Sequence, residues 1–339
     1  MANLLDQLRG LSAVDCDTLD VDVAAKLGPF ADCTSNQAIV FSELSRANSD
    51  GTPFHSKLIH ESYVTAHWMF AKQSDATLYE LVVEIATVGL SLRFAPYLSG
   101  FCHVQTNPKW CYSTQKTIKN AERIVSHFRQ LGPDFDASRV CIKIPATWEG
   151  LQACRELEKR GIATLATTVF CMEQAALAAE VGCRYIAPYV NELRVHFDPA
   201  YVDTDKGFPL CAAAQHYFEG RDLATLVMPA SLVSIDEVMQ LAGAQHITVS
   251  PPLLAELAAT PATGWQGAGT VGQVMGHAAG RIAGAEGQYD AVLNDEGRWK
   301  LALTRADGGK SMGKLVQAIN IFCGVQEKVE DLVKRLNPI

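Results

Sequence analysis

The chain has 339 residues, of which 48% are hydrophobic and 19% charged, and its formal net charge is −8. A chain of this length buries about three quarters of its unfolded surface, so its core needs neither a metal nor a disulfide staple. The negative balance, with no basic cluster beyond helix faces such as that of Lys116 and Lys119, excludes a nucleic-acid binder, because phosphate neutralisation supplies most non-specific affinity there.

Residues 1–6 lack the basic flank and apolar core of a secretory signal, and the ten cysteines lie in apolar runs such as Val140-Cys141-Ile142 and Phe170-Cys171-Met172. Buried free thiols in a cytoplasmic protein are therefore expected. Short apolar runs at 13–17, 32–34, 101–105, 140–144, 163–167, 185–187, 224–227 and 247–250 read as strands. Amphipathic stretches at 114–131, 148–159, 172–181 and 233–241 read as helices between them, with Leu151, Cys154 and Leu157 spaced three apart in the second. More than one helix is expected in 36–92, covering part of the barrel mouth. The stretch 162–183 is the most apolar, but Glu173 and Glu180 interrupt it, which excludes a membrane span. A Gly- and Ala-rich region, 260–287, precedes a charged helix at 313–336 that is expected to pack across the barrel. Eight strands alternating with helices predict an α/β fold, a (β/α)₈ TIM barrel with additional helices, in one domain spanning 1–339.

Two phosphate-loop patterns fail on context. The run 267–272 has the glycine spacing of a dinucleotide fingerprint but follows no predicted strand, and Gly308-Gly309-Lys310-Ser311 lacks the glycine needed five positions before Gly309. The nine histidines show no metal-ligand spacing, so no metal is expected.

The informative segment is 140–150, Val-Cys-Ile-Lys-Ile-Pro-Ala-Thr-Trp-Glu-Gly. Strand alternation puts Ile142 and Ile144 on the face opposite Lys143, so an inward Lys143 leaves both isoleucines to the surrounding helices. Burial lowers an ammonium pKa and yields a neutral amine able to attack carbonyl carbon. From spacing alone, Lys143 reads either as such a nucleophile or as a buried salt-bridge lysine.

The segment 143–150 resembles the active-site strand of the transaldolases. The likeness extends through Leu157-Glu-Lys-Arg-Gly-Ile162, Ala230-Ser231, Ser250-Pro-Pro-Leu-Leu254 and 326–332, and Asp32-Cys-Thr-Ser-Asn36 resembles the family's substrate-binding strand end. It covers nearly the whole chain, more loosely over 36–92 and 260–287. The resemblance implies an aldol enzyme without a cofactor. Lys143 would form a carbinolamine with a ketose, lose water to give an iminium, and so allow the bond between the third and fourth carbons to break, leaving an enamine for an aldehyde acceptor. It further implies that Asp17 is the acid/base residue, that Asn36 binds donor hydroxyls with Thr34 supporting, that Thr167 helps hold the catalytic water, and that Ser231 binds substrate.

Departures from the family pattern are as informative. Gln105 stands where transaldolases carry a glutamate, and an amide can orient water but cannot exchange a proton with it. The related fructose-6-phosphate aldolases also carry glutamine there, which shifts the expectation toward free aldol cleavage or addition. Glu192 and Val233 align with two phosphate-binding arginines, and Ala187 with a serine of the same site. Losing two charge-assisted contacts of about 1.5–3 kcal/mol each weakens phosphate binding by roughly 10² to 10⁴. Arg194 and His196 are the nearest replacements.

The expected partner is a small-molecule carbonyl substrate, non-phosphorylated or otherwise atypical, with no nucleic acid and no membrane; a homodimer is compatible with the sequence. A specialised biosynthetic role fits these losses. Two alternatives stand beside this reading: an ordinary transaldolase of the pentose-phosphate pathway moving dihydroxyacetone between sugar phosphates, and a catalytically inactive barrel acting as a binding protein.

Overall fold

The structure is a computed structural model that describes residues 2–70, 75–277 and 289–337. Its parallel strands are β1 (Ala13–Cys16), β2 (Cys102–Gln105), β3 (Val140–Pro145), β4 (Ala163–Val169), β5 (Tyr185–Pro188), β6 (Leu226–Val227) and β7 (His246–Val249). Strands β2 to β6 pair in chain order, and β1 pairs with β7.

The expected strand at 32–34 is a correction: it forms single bridges, Cys33 with Cys16 and Cys33 with Cys102. Main-chain bonds still join it to both sides, from Thr34 N to Cys16 O at 2.9 Å and from Cys33 N to Phe101 O at 3.0 Å. It stays irregular because Asp32 N bonds to the Asp15 carboxylate, at 2.9 Å, in place of a strand carbonyl. The seam between β6 and β7 is equally sparse. Thr248 N donates to Pro229 O at 3.3 Å, and the Gln245 side chain accepts from Val227 N at 2.8 Å. With these links the staves form the circuit of a (β/α)₈ barrel.

Helices α1 (Leu4–Arg9), α2 (Val21–Leu27), α3 (Gln37–Leu44), α4 (Ser56–Phe70) and α5 (Leu78–Phe94) lie before β2 in the chain, the last three filling 36–92 as expected. Helix α6 (Thr114–Leu131) follows β2, α7 (Trp148–Lys159) β3, α8 (Met172–Glu180) β4, α9 (Phe208–Gly220) β5, α10 (Ile235–Gln240) β6, and α11 (Pro251–Ala259) β7. The chain continues through α12 (Gln273–His277), α13 (Asp290–Leu293), α14 (Glu296–Arg305) and α15 (Lys310–Leu336). Residues 278–287 of the Gly- and Ala-rich region lie outside the described residues. None of the described helices is long and apolar enough to cross a membrane. All ten cysteines are free.

Alternation along the strands splits the core in two. Ile142 and Ile144 pack outward with Leu151, Cys154 and Leu157 of α7, the spacing of three that marked that helix. Inward, Cys141, Leu165, Tyr185, Tyr189 and Met228 form a separate cluster that Ala318 and Phe322 of α15 join. Lys143 therefore points into the barrel, as the pattern predicts.

The barrel floor is charged. His103 Nε2 lies 2.8 Å from Asp32 Oδ2, and His246 Nδ1 lies 3.0 Å from Asp15 Oδ2, with the Tyr185 ring centred 5.1 Å from each imidazole. Polar atoms of Asp15, Asp32 and His246 all fall within 4.8 Å of one another, a grouping that linear histidine spacing cannot reveal. Burial pushes the Asp15 carboxyl up to about 6, against the pull of His246. Burial also acts on Asp32, but its bond to His103 and the Phe101 N–H hold it below the ordinary value. His246 is lowered by burial and raised more strongly by Asp15, so its pKa ends above the usual one.

Two predictions follow from these features. In the folded chain Asp15 keeps its proton to about pH 6, whereas unfolded it releases it near the ordinary 3.8. This contribution is present at low pH and is lost as pH rises between those values, and the raised His246 continues the loss above 6.5. Calorimetric melting of Asp15→Asn beside the native protein should therefore give a difference that shifts toward the variant as pH rises; a difference flat in pH would rule out the buried proton. At Gly150, an added Cβ would sit 2.2 Å from the Pro145 carbonyl oxygen, at the end of the strand bearing Lys143. Gly150→Ala should cost about 1–3 kcal/mol in urea unfolding and impair turnover, since the strand end must shift.

Candidate active site

Lys143 stands in register between Gln105 on β2 and Leu165 on β4, only 2% exposed. Burial lowers its pKa, and the Asp17 carboxylate opposes that shift. A larger share of neutral amine results, of the kind that adds to carbonyl carbon.

Asp17 follows β1 directly, and its N–H donates to Val249 O at 3.0 Å, which fixes the strand end against β7. Its Oδ1 accepts from Thr34 Oγ1 at 2.5 Å, and the Thr34 hydroxyl lies 2.6 Å from Thr248 Oγ1. Three neighbouring staves thus hold one carboxylate. Asn36 caps α3: its Oδ1 accepts from Ala38 N at 2.9 Å and Ile39 N at 3.1 Å. The oxygen being committed, its NH₂ is the group it can offer a ligand.

These residues open onto a cavity of about 240 Å³ whose lining includes Asp17, Asn36, Lys143, Tyr189, Ser231 and Thr248. Its apolar walls are Ile39, Leu193, Phe197, Leu232 and Phe322, and Lys143 is the one Lys or Arg among the described residues that line it.

Thr167 ends the regular part of β4. The β4–β5 register shifts between Ala166 and Val169, and Thr168 adopts the left-handed φ of 56°. Gln174 stabilises this bulge by donating to Thr168 O at 3.1 Å and Ala146 O at 2.9 Å. A bulge held this way re-aims the strand's last side chains. Thr167 Oγ1 donates to the Tyr189 hydroxyl at 3.4 Å. Burial raises the Tyr189 phenol, with Thr167 pulling the other way, so it remains protonated and a donor near neutral pH. Sequence reasoning missed Tyr189. Its signal was available, because 185, 187 and 189 share one face of β5 and its extension, and Tyr185 already points inward.

Gln105 is buried, and neither amide atom has a hydrogen-bond partner among the described residues. It is not among the residues lining the Lys143 cavity, and borders instead a small cavity of about 30 Å³ shared with Asn36, Asn107 and Gln326.

The expected substrate contacts of Glu192 and Arg194 are not assembled. Glu192 accepts from Gln317 Nε2 at 3.0 Å, while its N–H donates to Asp203. Arg194 is exposed, bonds Asp198 Oδ2 at 2.6 Å and lies over the Tyr201 ring. Neither lines the cavity. Val233, at the other expected arginine position, is 46% exposed. His196, by contrast, lines the cavity and meets Ser231 Oγ at 2.9 Å.

The family described as Transaldolase/Fructose-6-phosphate aldolase matches residues 14–305. A protein named Transaldolase from Xanthomonas euvesicatoria pv. vesicatoria is 33% identical over 258 residues, 75% of this chain and 77% of its own. Those of Alteromonas mediterranea and Agrobacterium fabrum are 32% and 30% identical, covering 77% and 76% of this chain and 80% and 78% of theirs. A barrel with an inward lysine and a match across most of its length place this chain in the transaldolase/fructose-6-phosphate aldolase family, as a divergent transaldolase-type enzyme.

Proposed function

We propose that this enzyme makes or breaks carbon–carbon bonds through a Schiff base on Lys143, acting on a non-phosphorylated or otherwise atypical carbonyl substrate. One observation carries the reading: a buried amine with a lowered pKa shares with Asp17 a cavity that no arginine among the described residues lines.

In this reading the Lys143 Nζ lone pair attacks the ketone carbon of a hydroxyketone and a carbinolamine forms. Loss of water gives the protonated imine, which accepts the electron pair of the breaking bond and becomes an enamine. Asp17 takes the proton of the hydroxyl on the departing aldehyde carbon and returns it on addition; Thr34 and Thr248 keep its carboxylate in place. Asn36 donates to the ketone's hydroxyls. The carbinolamine hydroxyl leaves as water, and the proton it needs comes through a water held by Gln105, Thr167 and Tyr189. Tyr189 is the member of that trio able to supply a proton, because an amide exchanges none.

Ordinary transaldolase activity on sugar phosphates is the second reading, favoured by the names of the relatives. The cavity lining weighs against it, since a dianion placed there meets apolar walls and, among the described residues, no guanidinium.

Borohydride trapping separates the readings. With dihydroxyacetone or fructose, intact mass and peptide mapping should locate a reduced adduct on Lys143. Lack of an adduct with any ketone overturns the Schiff-base reading, and saturation by micromolar fructose 6-phosphate establishes the second. Lys143→Ala should lose the adduct and turnover while folding normally. The rate of adduct formation should climb with pH and level off below the ordinary lysine range, because the free amine is the reactive form. Tyr189→Phe should slow turnover about a hundredfold, within the range of a lost general acid, with little change in substrate KM; an unchanged kcat would remove it from the proton path.

A further inference from the structure

Resting on the Schiff-base reading, we propose that the Ser231–His196 pair is a subsite for a hydroxyl group on an uncharged acceptor aldehyde. The pair lines the same cavity as Lys143, with Ser231 Oγ and His196 Nε2 2.9 Å apart. Ser231 has a φ of 61°, a left-handed conformation that a non-glycine residue holds only under constraint. The constraint is visible. Asn191 Nδ2 donates to Ser231 O at 2.8 Å and to Glu237 Oε2 at 2.9 Å, and the same carboxylate oxygen accepts from Val233 N at 2.8 Å. Lys206 bonds the other oxygen of Glu237, anchoring it from the opposite side.

A hydroxyl and an imidazole each offer both a donor and an acceptor. That matches an alcohol, which donates once and accepts, and it does not match a phosphate dianion, which only accepts and demands positive charge. Crowding lowers the His196 pKa, against the fields of Asp17 and Glu237, which favours the neutral ring at neutral pH although the residue is exposed. Arg194 spends its charge on Asp198, away from the cavity. Leu193, Phe197 and Leu232 surround the pair and would take the carbon skeleton of a short hydroxyaldehyde. Ser231 thereby reads a neutral hydroxyl at a position where an anion contact would need cations.

The test compares acceptors with dihydroxyacetone, or whichever ketone gives the Lys143 adduct, as donor. In the native protein kcat/KM should favour glyceraldehyde over propanal and over glyceraldehyde 3-phosphate. His196→Ala should reduce the glyceraldehyde-to-propanal ratio about tenfold, the worth of one such hydrogen bond, and His196→Gln should recover part of it. Ser231→Gly removes the hydroxyl while relieving the left-handed strain, so it keeps the comparison valid if His196→Ala folds poorly; it should lower the same ratio. An adduct on Lys143 together with an unchanged ratio in both variants overturns this subsite alone. A native preference for glyceraldehyde 3-phosphate that His196→Ala abolishes overturns it in favour of an anion site. No adduct in the native protein overturns the underlying reading instead.

Discussion

An ammonium group inside a parallel barrel is unfavourable unless a charge answers it, and here Lys143 has Asp17 as its answering charge in a buried setting. Much of the active end is arranged around keeping those two groups near each other. The β1–β7 ladder sets the height of Asp17, Thr34 and Thr248 fix its carboxylate, and β3 holds Lys143 between β2 and β4. Because these contacts come from different staves, the distance between acid and amine is a property of the closed barrel. Local sequence alone does not determine it.

The same closure explains why some features are legible in the chain and others are not. Period-two alternation around Lys143 needs only five residues to be read, and Ile142 and Ile144 face outward as it predicts. The stave at 32–34 reads as a strand because its side chains alternate, yet its pairing is diverted by the Asp15 carboxylate, and that residue lies 17 positions away. The family resemblance sets Glu192 at a phosphate-arginine position and leaves Arg194 as a nearby replacement. It specifies a backbone position and leaves side-chain direction open; Gln317 and Asp198 set that direction from other parts of the fold. Tyr189 was hidden for another reason, since a tyrosine after an apolar strand looks like core until the Thr168 bulge turns Thr167 toward it.

The pocket joins two kinds of lining. It holds Lys143, Asp17 and Asn36 together with apolar side chains and the Ser231–His196 pair. Helix α15 contributes to this lining, because Phe322 closes the cavity from above while Gln317, on the same helix, draws Glu192 aside. The outer lining is therefore set by loops and α15, separately from the strand ends that position Lys143 and Asp17.

The charged floor has a consequence for how such a barrel can change. Asp15, Asp32 and His103 are buried and His246 is partly so; in this set two acids face two imidazoles, and Asp15 and His246 are 231 residues apart in the chain. Replacing one member leaves its partner unmatched in a largely buried setting, whereas replacing an acid together with its imidazole keeps the acid–imidazole pairing balanced, at the cost of one backbone N–H contact. In a lineage of such chains, then, these positions should be gained or lost as pairs, and the two ends of the sequence should carry a shared history at the barrel floor.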